Sequence, residues 1–267
     1  MTNFEKKMFV VTGGAGFIGS HLIEELLSLG SRVRTIDNFS TGKEENVEAL
    51  REMFGDRSRN LEVIKGDIRD LDLVKSVTEG VDGIFHQAAL GSVPRSVTDP
   101  ITTQNVNADG TLNIFWAAHL NKTPRVVYAS SSSVYGDSEI LPKKEGSEGL
   151  PLSPYALTKK LNEDHSRLFF SLYGLETIGL RYFNVYGPRQ DPDSEYAAVI
   201  PKFVTRLLRG LAPTIYGSGL QSRDFTFVKD VVQANLLAMV APSSNCGRAY
   251  NIGRGDQVNL LDLLIAL

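Results

Sequence analysis

Three glycines in Thr12-Gly13-Gly14-Ala15-Gly16-Phe17-Ile18-Gly19 fall where a short β-branched run gives way to a helical one. A chain that turns tightly there leaves backbone N–H groups at a helix start, ready to meet a phosphate. A side chain at Gly13 or Gly16 would obstruct the turn and the approach of a pyrophosphate, while Gly19 lets the helix pack close to the sheet. By itself such a triplet is also what a merely flexible turn looks like. Asp37 tips the balance, because it ends the next strand eighteen residues past Gly19, where a carboxylate accepts hydrogen bonds from an adenosine ribose. Dinucleotide binding is the expectation, with NAD favoured over NADP because Asp37 would repel a 2′-phosphate. Gly66-Asp67-Ile68-Arg69, after the third strand, either reaches the adenine or is a capped turn ahead of a helix.

Tyr155 and Lys159 are four residues apart, just after Ser153-Pro154, and Pro suits a first helical turn. That spacing puts both side chains on one helix face. A phenol ordinarily titrates near ~10, and a nearby ammonium together with a positive nicotinamide ring would favour its phenolate. Tyr155 is thus a candidate proton shuttle. Taken alone, the pair reads far more often as surface decoration of an amphipathic helix than as a catalytic set. A polar run, Ser130-Ser131-Ser132-Ser133, ends the fifth strand at the edge where open α/β sheets bind ligands, its other reading being a solvated turn.

Positioning these groups requires a parallel sheet. Short β-branched runs at 9–12, 32–36, 61–65, 83–86, 125–129 and 177–181 predict strands, and longer amphipathic stretches at 17–29, 71–78, 101–120 and 154–173 predict crossover helices. The expected fold class is α/β, a Rossmann-type parallel sheet with helices on both faces plus a smaller C-terminal substrate-binding lobe. Residues 1–180 would be the dinucleotide-binding domain carrying the catalytic groups, and 181–267 the lobe. After residue 181 the regularity weakens, with Gly187-Pro188, Asp191-Pro192, Gly210 and Gly217-Ser218-Gly219 punctuating helices predicted near 197–209 and 229–240.

Composition narrows the function classes. Over 267 residues, 28 Lys plus Arg against 31 Asp plus Glu give a net charge of −3, which offers no basic surface for nucleic acid. A hydrophobic content of 42% fits a globular protein with a filled core. The single cysteine, Cys246, excludes an internal disulfide, and its spacing from the four histidines suggests no metal site. The apolar run at 8–11 is too brief for a signal peptide or membrane span, so a reducing, cytoplasmic location without membrane association is expected.

Together these residues resemble the extended short-chain dehydrogenase/reductase family, specifically its nucleotide-sugar 4-epimerases. The resemblance runs from about Lys7 to Leu267 on the glycine turn, Asp37-Asn38, His86-Gln87-Ala88-Ala89, Asn107-Ala108-Asp109-Gly110-Thr111, Tyr155 with Lys159, and Arg181-Tyr182-Phe183-Asn184-Val185-Tyr186-Gly187-Pro188. It implies NAD held by Gly13, Gly16, Phe17, Ile18, Asp37, Asn38, Asp67, Ile68, Gln87, Ala88, Ala89, Asn107, Tyr155, Lys159 and Tyr182. It also implies catalysis by Ser131, Tyr155 and Lys159, in which Ser131 shares the sugar 4-hydroxyl with Tyr155, and Lys159 lowers the Tyr155 pKa and holds the nicotinamide ribose. Dehydratases of the family carry Asp-Glu after that position and decarboxylases a Glu, whereas this chain has Ser132-Ser133.

Finer segments, Leu90-Gly91-Ser92-Val93-Pro94-Arg95-Ser96, Gln190-Asp191-Pro192 and Ser222-Arg223-Asp224-Phe225, are similar to the branch acting on N-acetylated UDP-hexosamines. That similarity implies Ser92 beside the sugar with Ser132 nearby, Asn184 and Arg223 on the diphosphate, and Ala198 and Val199 flanking the uracil. Val199 also reads as ordinary core at a helix start. The implied reaction is redox-neutral 4-epimerisation of UDP-GlcNAc/UDP-GalNAc. The run Tyr128 to Gly136 is also similar to UDP-glucuronate 4-epimerases, but the flanking segments Ser92–Ser96 and Gln190–Pro201 favour the hexosamine branch, which itself includes enzymes of N-acetylhexosaminuronates.

Two other readings stand beside this one. The first is net oxidation or reduction of a nucleotide sugar with exchangeable NAD(H). The second is a non-catalytic nucleotide-binding fragment, since the chain stops at Leu267 inside an apolar pattern and the lobe is expected to be truncated. The resemblance further implies a homodimer through helices around 101–120 and 154–173, although Phe115, Trp116, Leu168 and Phe169 read equally as internal core.

Overall fold

The computed structural model describes residues 3–192, 199–215 and 217–267. Seven strands form one sheet, all pairs parallel, in the order β10-β6-β5-β4-β1-β2-β3. They are β1 (Met8–Thr12), β2 (Arg32–Asp37), β3 (Leu61–Lys65), β4 (Gly83–His86), β5 (Arg125–Ser131), β6 (Glu176–Tyr182) and β10 (Arg248–Ile252). The six predicted strands stand within two residues at each end. The seventh, β10, is partly exposed along an edge and carries too little apolar signal to be seen in the sequence.

Helices cover both faces. One layer holds α1 (Phe17–Ser28), α2 (Glu44–Phe54) and α9 (Val228–Val240), whose Leu22, Ile23, Leu26, Leu50 and Val231 share a core with Val11 and Val127. The other holds α3 (Leu71–Val77), α6 (Gly110–Leu120) and α7 (Pro154–Tyr173), packing Val74, Ile114, Phe115 and Phe169 on Val10, Ile84 and Val126. Strands buried on both faces read as continuous apolar runs, which is why Val10, Val11, Ile84 and Phe85 carried the prediction. Residues on either side of position 181 build this body, because α9 and β10 return to it.

The predicted helix over 101–120 is α5 (Pro100–Gln104) and α6 joined by a π-helical turn, Asn105–Asp109, which widens the backbone at Asn107. A short α4 (Val93–Thr98) precedes it. Ser153 caps α7 by accepting from the Ala156 N–H at 3.1 Å, Pro154 occupies the first turn, and Gly174 ends it at φ +70°.

A smaller cluster lies apart from the sheet. Phe203 of α8 (Val199–Leu208) meets Leu260 and Leu263 of α10 (Leu260–Ala266). Beside it run two-residue pairs, β7 (Val185–Tyr186) with β9 (Thr226–Phe227) and β8 (Ser222–Arg223) with β11 (Val258–Asn259). Among the described residues, no helix is long and apolar enough to cross a membrane.

Candidate active site

Strand order reverses between β1 and β4, so a crevice opens at the C-terminal edge of the sheet. The glycine turn sits in it. Gly13 adopts φ +70° and lies so close to β4 that a Cβ would meet the Ala88 backbone at 2.8 Å. A Cβ on Gly19 would collide with the Gly13 carbonyl, so Gly19 tightens α1 against its own turn; the glycine abutting the sheet is Gly14, which faces Thr35. That corrects the sheet-packing role expected of Gly19.

The crevice is a cleft of about 420 Å³. Its walls include Gly13, Gly16, Phe17, Ile18, Asp37, Asn38, Asp67, Ile68, Gln87, Ala88 and Ala89, all expected at a cofactor. Asp37 is buried; its Oδ2 accepts from the Ala15 N–H at 2.9 Å and its Oδ1 from the Phe39 N–H at 2.8 Å. Burial pushes its carboxyl up, against the pull of those donors. Asp67 serves both of its readings, lining the cleft and closing a turn by accepting from the Arg69 N–H at 2.9 Å. The Arg69 guanidinium and Asn38 hold its carboxyl far below the usual carboxylate range.

Sequence reasoning missed Ser40, Thr41 and Gly42, a small polar run after Asp37-Asn38 whose turn composition was the available signal. It also missed Val106, at the wall; Leu90, Gly91 and Arg95, expected in a segment beside the sugar, line the cleft as well, with Gln190 and Asp191. A Cβ at Gly42 would sit 2.9 Å from both Asp37 carboxylate oxygens.

Four residues expected at the cofactor stand behind or beside the cleft rather than among the side chains that line it. Asn107 is fully buried, with Oδ1 accepting from the Leu90 N–H at 2.7 Å and Nδ2 donating to the Leu90 carbonyl at 3.1 Å, so it shapes the cleft through Leu90. Tyr182 lies behind Gln87 in a closed ring of hydrogen bonds. Its hydroxyl donates to Gln87 Oε1 at 3.0 Å, Gln87 Nε2 donates to Asn235 Oδ1 at 3.1 Å, and Asn235 Nδ2 donates back to Tyr182 at 2.8 Å.

Tyr155 and Lys159 stand on α7 beside the end of β5, one strand over from Gln87. Ser131 stands beside the Tyr155 phenol at the end of β5, and its Oγ accepts from the Ser133 N–H at 3.2 Å. Lys159 is buried; its Nζ donates to the Ala129 carbonyl at 2.8 Å and lies 5.8 Å from the Tyr155 ring centre. Burial pulls the ammonium down to about 8. Burial also pushes the Tyr155 phenol up, with Ser131 opposing.

His86 ties the turn to α6. Thr12 Oγ1 accepts from the Gln87 and Ala88 N–H groups at 3.2 and 3.1 Å, so its own proton goes to His86 Nδ1 at 2.7 Å. Nε2 then carries the ring proton and donates to Thr111 Oγ1 at 2.9 Å, which donates to the Asn107 carbonyl at 2.6 Å. Burial first, and Lys159 second, hold His86 down to about 3. Behind α7, Arg181 forks onto Glu163 with two bonds of 2.9 Å, and Ser130 Oγ donates to Glu163 at 2.6 Å.

The residues expected at a substrate are in part gathered. Asn184 Nδ2 donates to the Asp224 carbonyl at 2.9 Å, bringing it beside exposed Arg223. Ser92 caps α4, accepting from the Arg95 N–H at 3.1 Å. Ser132 follows Ser131 in a single 3-10 turn, Ser132–Tyr135. Val199 packs on the smaller core at the start of α8, as its plainer reading had it, and Ala198 lies outside the described residues.

A doubly wound parallel sheet with a glycine turn, a buried carboxylate at the second strand and a Ser-Tyr-Lys set at the same edge defines a dinucleotide-dependent enzyme. The chain belongs to the NAD dependent epimerase/dehydratase family, which it matches over residues 9–253, and its cofactor is NAD. It is 39% identical over 258 residues to a putative UDP-glucose 4-epimerase of Methanocaldococcus jannaschii, covering 96% of this chain and 80% of that protein. A UDP-N-acetyl-alpha-D-glucosaminuronate decarboxylase of Bacillus cytotoxicus is 38% identical over 263 residues, covering 97% and 78%. The solved UDP-N-acetylglucosamine 4-epimerase of Methanobrevibacter ruminantium M1, in complex with UDP-N-acetylmuramic acid, has a TM-score of 0.91 at 42% identity, covering 98% of this chain and 81% of that one.

Proposed function

We propose that the protein interconverts the C4 epimers of a UDP-hexose, UDP-GlcNAc and UDP-GalNAc being the substrate pair its residues favour. The observation that carries this is the gathering of Ser131, Tyr155 and Lys159 at the end of β5 beside the cleft, with Ser132 and Ser133 following where a dehydratase or decarboxylase would need an acid. NAD, when bound, supplies a reversible hydride acceptor for C4. Tyr155 takes the proton of the sugar 4-hydroxyl with Ser131 bridging, and returns it after the 4-ketosugar has turned its other face. Asn184 and Arg223 grip the diphosphate, where a guanidinium fork matches phosphate geometry. Val199, at the start of α8, flanks the uracil from the edge of the smaller core. Ser92 and Ser132, both small, leave the hexose room to rotate.

Incubation with UDP-GlcNAc, UDP-glucose and UDP-glucuronate in turn, with the 4-epimers resolved chromatographically, tests this. Product from UDP-GlcNAc is expected. Product from UDP-glucuronate alone would move the assignment to the uronate branch, and none from any, with NAD bound, would overturn epimerisation.

A homodimer is part of the proposal. Phe115 and Phe169 are core, whereas Trp116 and Leu168 are exposed and extend, with Ile101 at 70% and Leu172 at 68% exposure, into an apolar face over α5, α6 and α7. Such a face suits a second copy, pairing helix against helix. Sedimentation at micromolar concentration should give twice the mass of the chain.

A further inference from the structure

The cofactor cleft has an outer wall that comes from the far end of the chain. After β7, residues 187–191 run to α1 and the glycine turn, and Gln190 and Asp191 line the cleft together with Gly16 and Phe17. Gly187 at φ +153° and Arg189 at φ +63° make the bend, and a left-handed arginine persists only where its surroundings over-determine it.

Two latches hold this segment down. At one, the Arg189 guanidinium donates to His21 Nδ1 at 3.0 Å and to the Glu24 carboxylate, both on α1. His21 Nε2 lies 3.0 Å from the Pro188 carbonyl, which can only accept, so Nε2 carries the proton and Nδ1 is free to receive Arg189. At the other, Lys43 Nζ meets Asp191 Oδ1 at 3.0 Å. Lys43 is itself tied to the cradle, its N–H donating to the Ala15 carbonyl at 3.0 Å. Gln190 fixes the middle, with Nε2 donating to the Val185 carbonyl at 3.0 Å, while its buried Oε1 has no partner among the described residues.

We propose that residues 187–191 are a strap over the dinucleotide, and that the Arg189 latch sets how slowly the coenzyme leaves. This rests on the NAD reading of the cleft. The two latches are unequal for a physical reason. Lys43 and Asp191 are 46% and 37% exposed, a screened surface pair whose loss is worth about 1.5- to 5-fold. Arg189 and Glu24 are 18% and 27% exposed, and a charge-assisted bond in such a place is worth about 10- to 100-fold. Retention suits a reaction that regenerates its coenzyme in every cycle, since release between turnovers serves no purpose.

The test loads the protein with NADH, chases with excess NAD and follows the decay of bound NADH fluorescence. Arg189→Gln should release NADH about 10- to 100-fold faster than the parent, Lys43→Gln no more than about 5-fold faster, and Lys75→Gln, which removes an exposed pair on α3, at the parent rate. Glu24→Gln removes the acceptor without disturbing the left-handed residue, and should behave as Arg189→Gln does if that variant folds poorly. A parent-like rate in both Arg189→Gln and Glu24→Gln, or a larger effect from Lys43→Gln, would overturn the proposal. Absence of saturable NADH binding by the parent would instead overturn the NAD reading beneath it.

Discussion

The Lys159 ammonium stands 5.8 Å from the centre of the Tyr155 ring and directs its hydrogen bond to the Ala129 carbonyl. Burial pushes the phenol up, and Ser131 draws it back. A phenol in that state keeps its proton at neutral pH. A positive nicotinamide ring beside it favours the phenolate, so coenzyme binding and proton uptake are linked.

Tyr155 should accordingly ionise at lower pH in the NAD-loaded protein than in the NAD-free protein, as read from tyrosinate absorbance. Tyr155→Phe should erase that difference. The same change should lower kcat by about 100- to 10,000-fold while leaving UDP-sugar affinity within a few-fold, because ring packing survives and only the proton carrier goes. Near-parental turnover would remove Tyr155 from the mechanism.

Lys159 carries a stability penalty of its own. Its folded pKa of about 8 lies below the ordinary 10.5, so the unfolded chain holds the proton more tightly. The penalty is complete below pH 8 and is relieved as pH rises from 8 to 10.5. Lys159→Met removes it but strands the Ala129 carbonyl, for a net gain of about 1–3 kcal/mol at pH 7 by denaturant unfolding, with activity lost. A destabilised Lys159→Met would mean that the ammonium is well solvated.

His86 behaves oppositely in sense to a surface histidine. Its pKa falls from 6.5 to about 3 on folding, so its contribution is present above pH 6.5 and is lost as pH drops towards 3. His86→Gln should flatten that part of the stability curve, and should cost about 1–3 kcal/mol at pH 7 by disturbing the Thr12 and Thr111 bonds. An unchanged slope between pH 6.5 and 4 would show that surface carboxylates dominate acid unfolding.

Much of this was legible in the residues. Buried parallel strands announce themselves as apolar runs, and the glycine turn with Asp37 marks the crevice, because each is dictated by local chain geometry. The strap was not legible, since His21, Glu24 and Arg189 are far apart in sequence and meet only through tertiary packing. Nor was the fate of Asn107, which lies in a helical stretch whose π turn follows from tertiary contacts with Leu90 and Asn162. The Tyr155 and Lys159 spacing gave a shared face but not the Ala129 carbonyl that claims the ammonium.

The last prediction concerns the charge pair behind the catalytic helix. Arg181 and Glu163 are both buried, and each carboxylate oxygen accepts a guanidinium bond of 2.9 Å. Without Glu163, Arg181 keeps Glu148 and the Tyr135 hydroxyl as partners, so Glu163→Gln should destabilise the fold by about 1–3 kcal/mol, the cost of the lost bidentate bonds. Joint replacement, Glu163→Leu with Arg181→Met, should recover part of that loss, because two desolvated charges are removed together while Glu148, nearer the surface, is left to solvent. Glu163 also supports the Lys159 charge from one turn along α7, so both variants should depress the Lys159 pKa further, shifting the pH dependence of activity as well as stability. If the double replacement were no more stable than the single one, the pair would be contributing through its shape and its bonds to Ser130 and Tyr135 rather than through charge compensation.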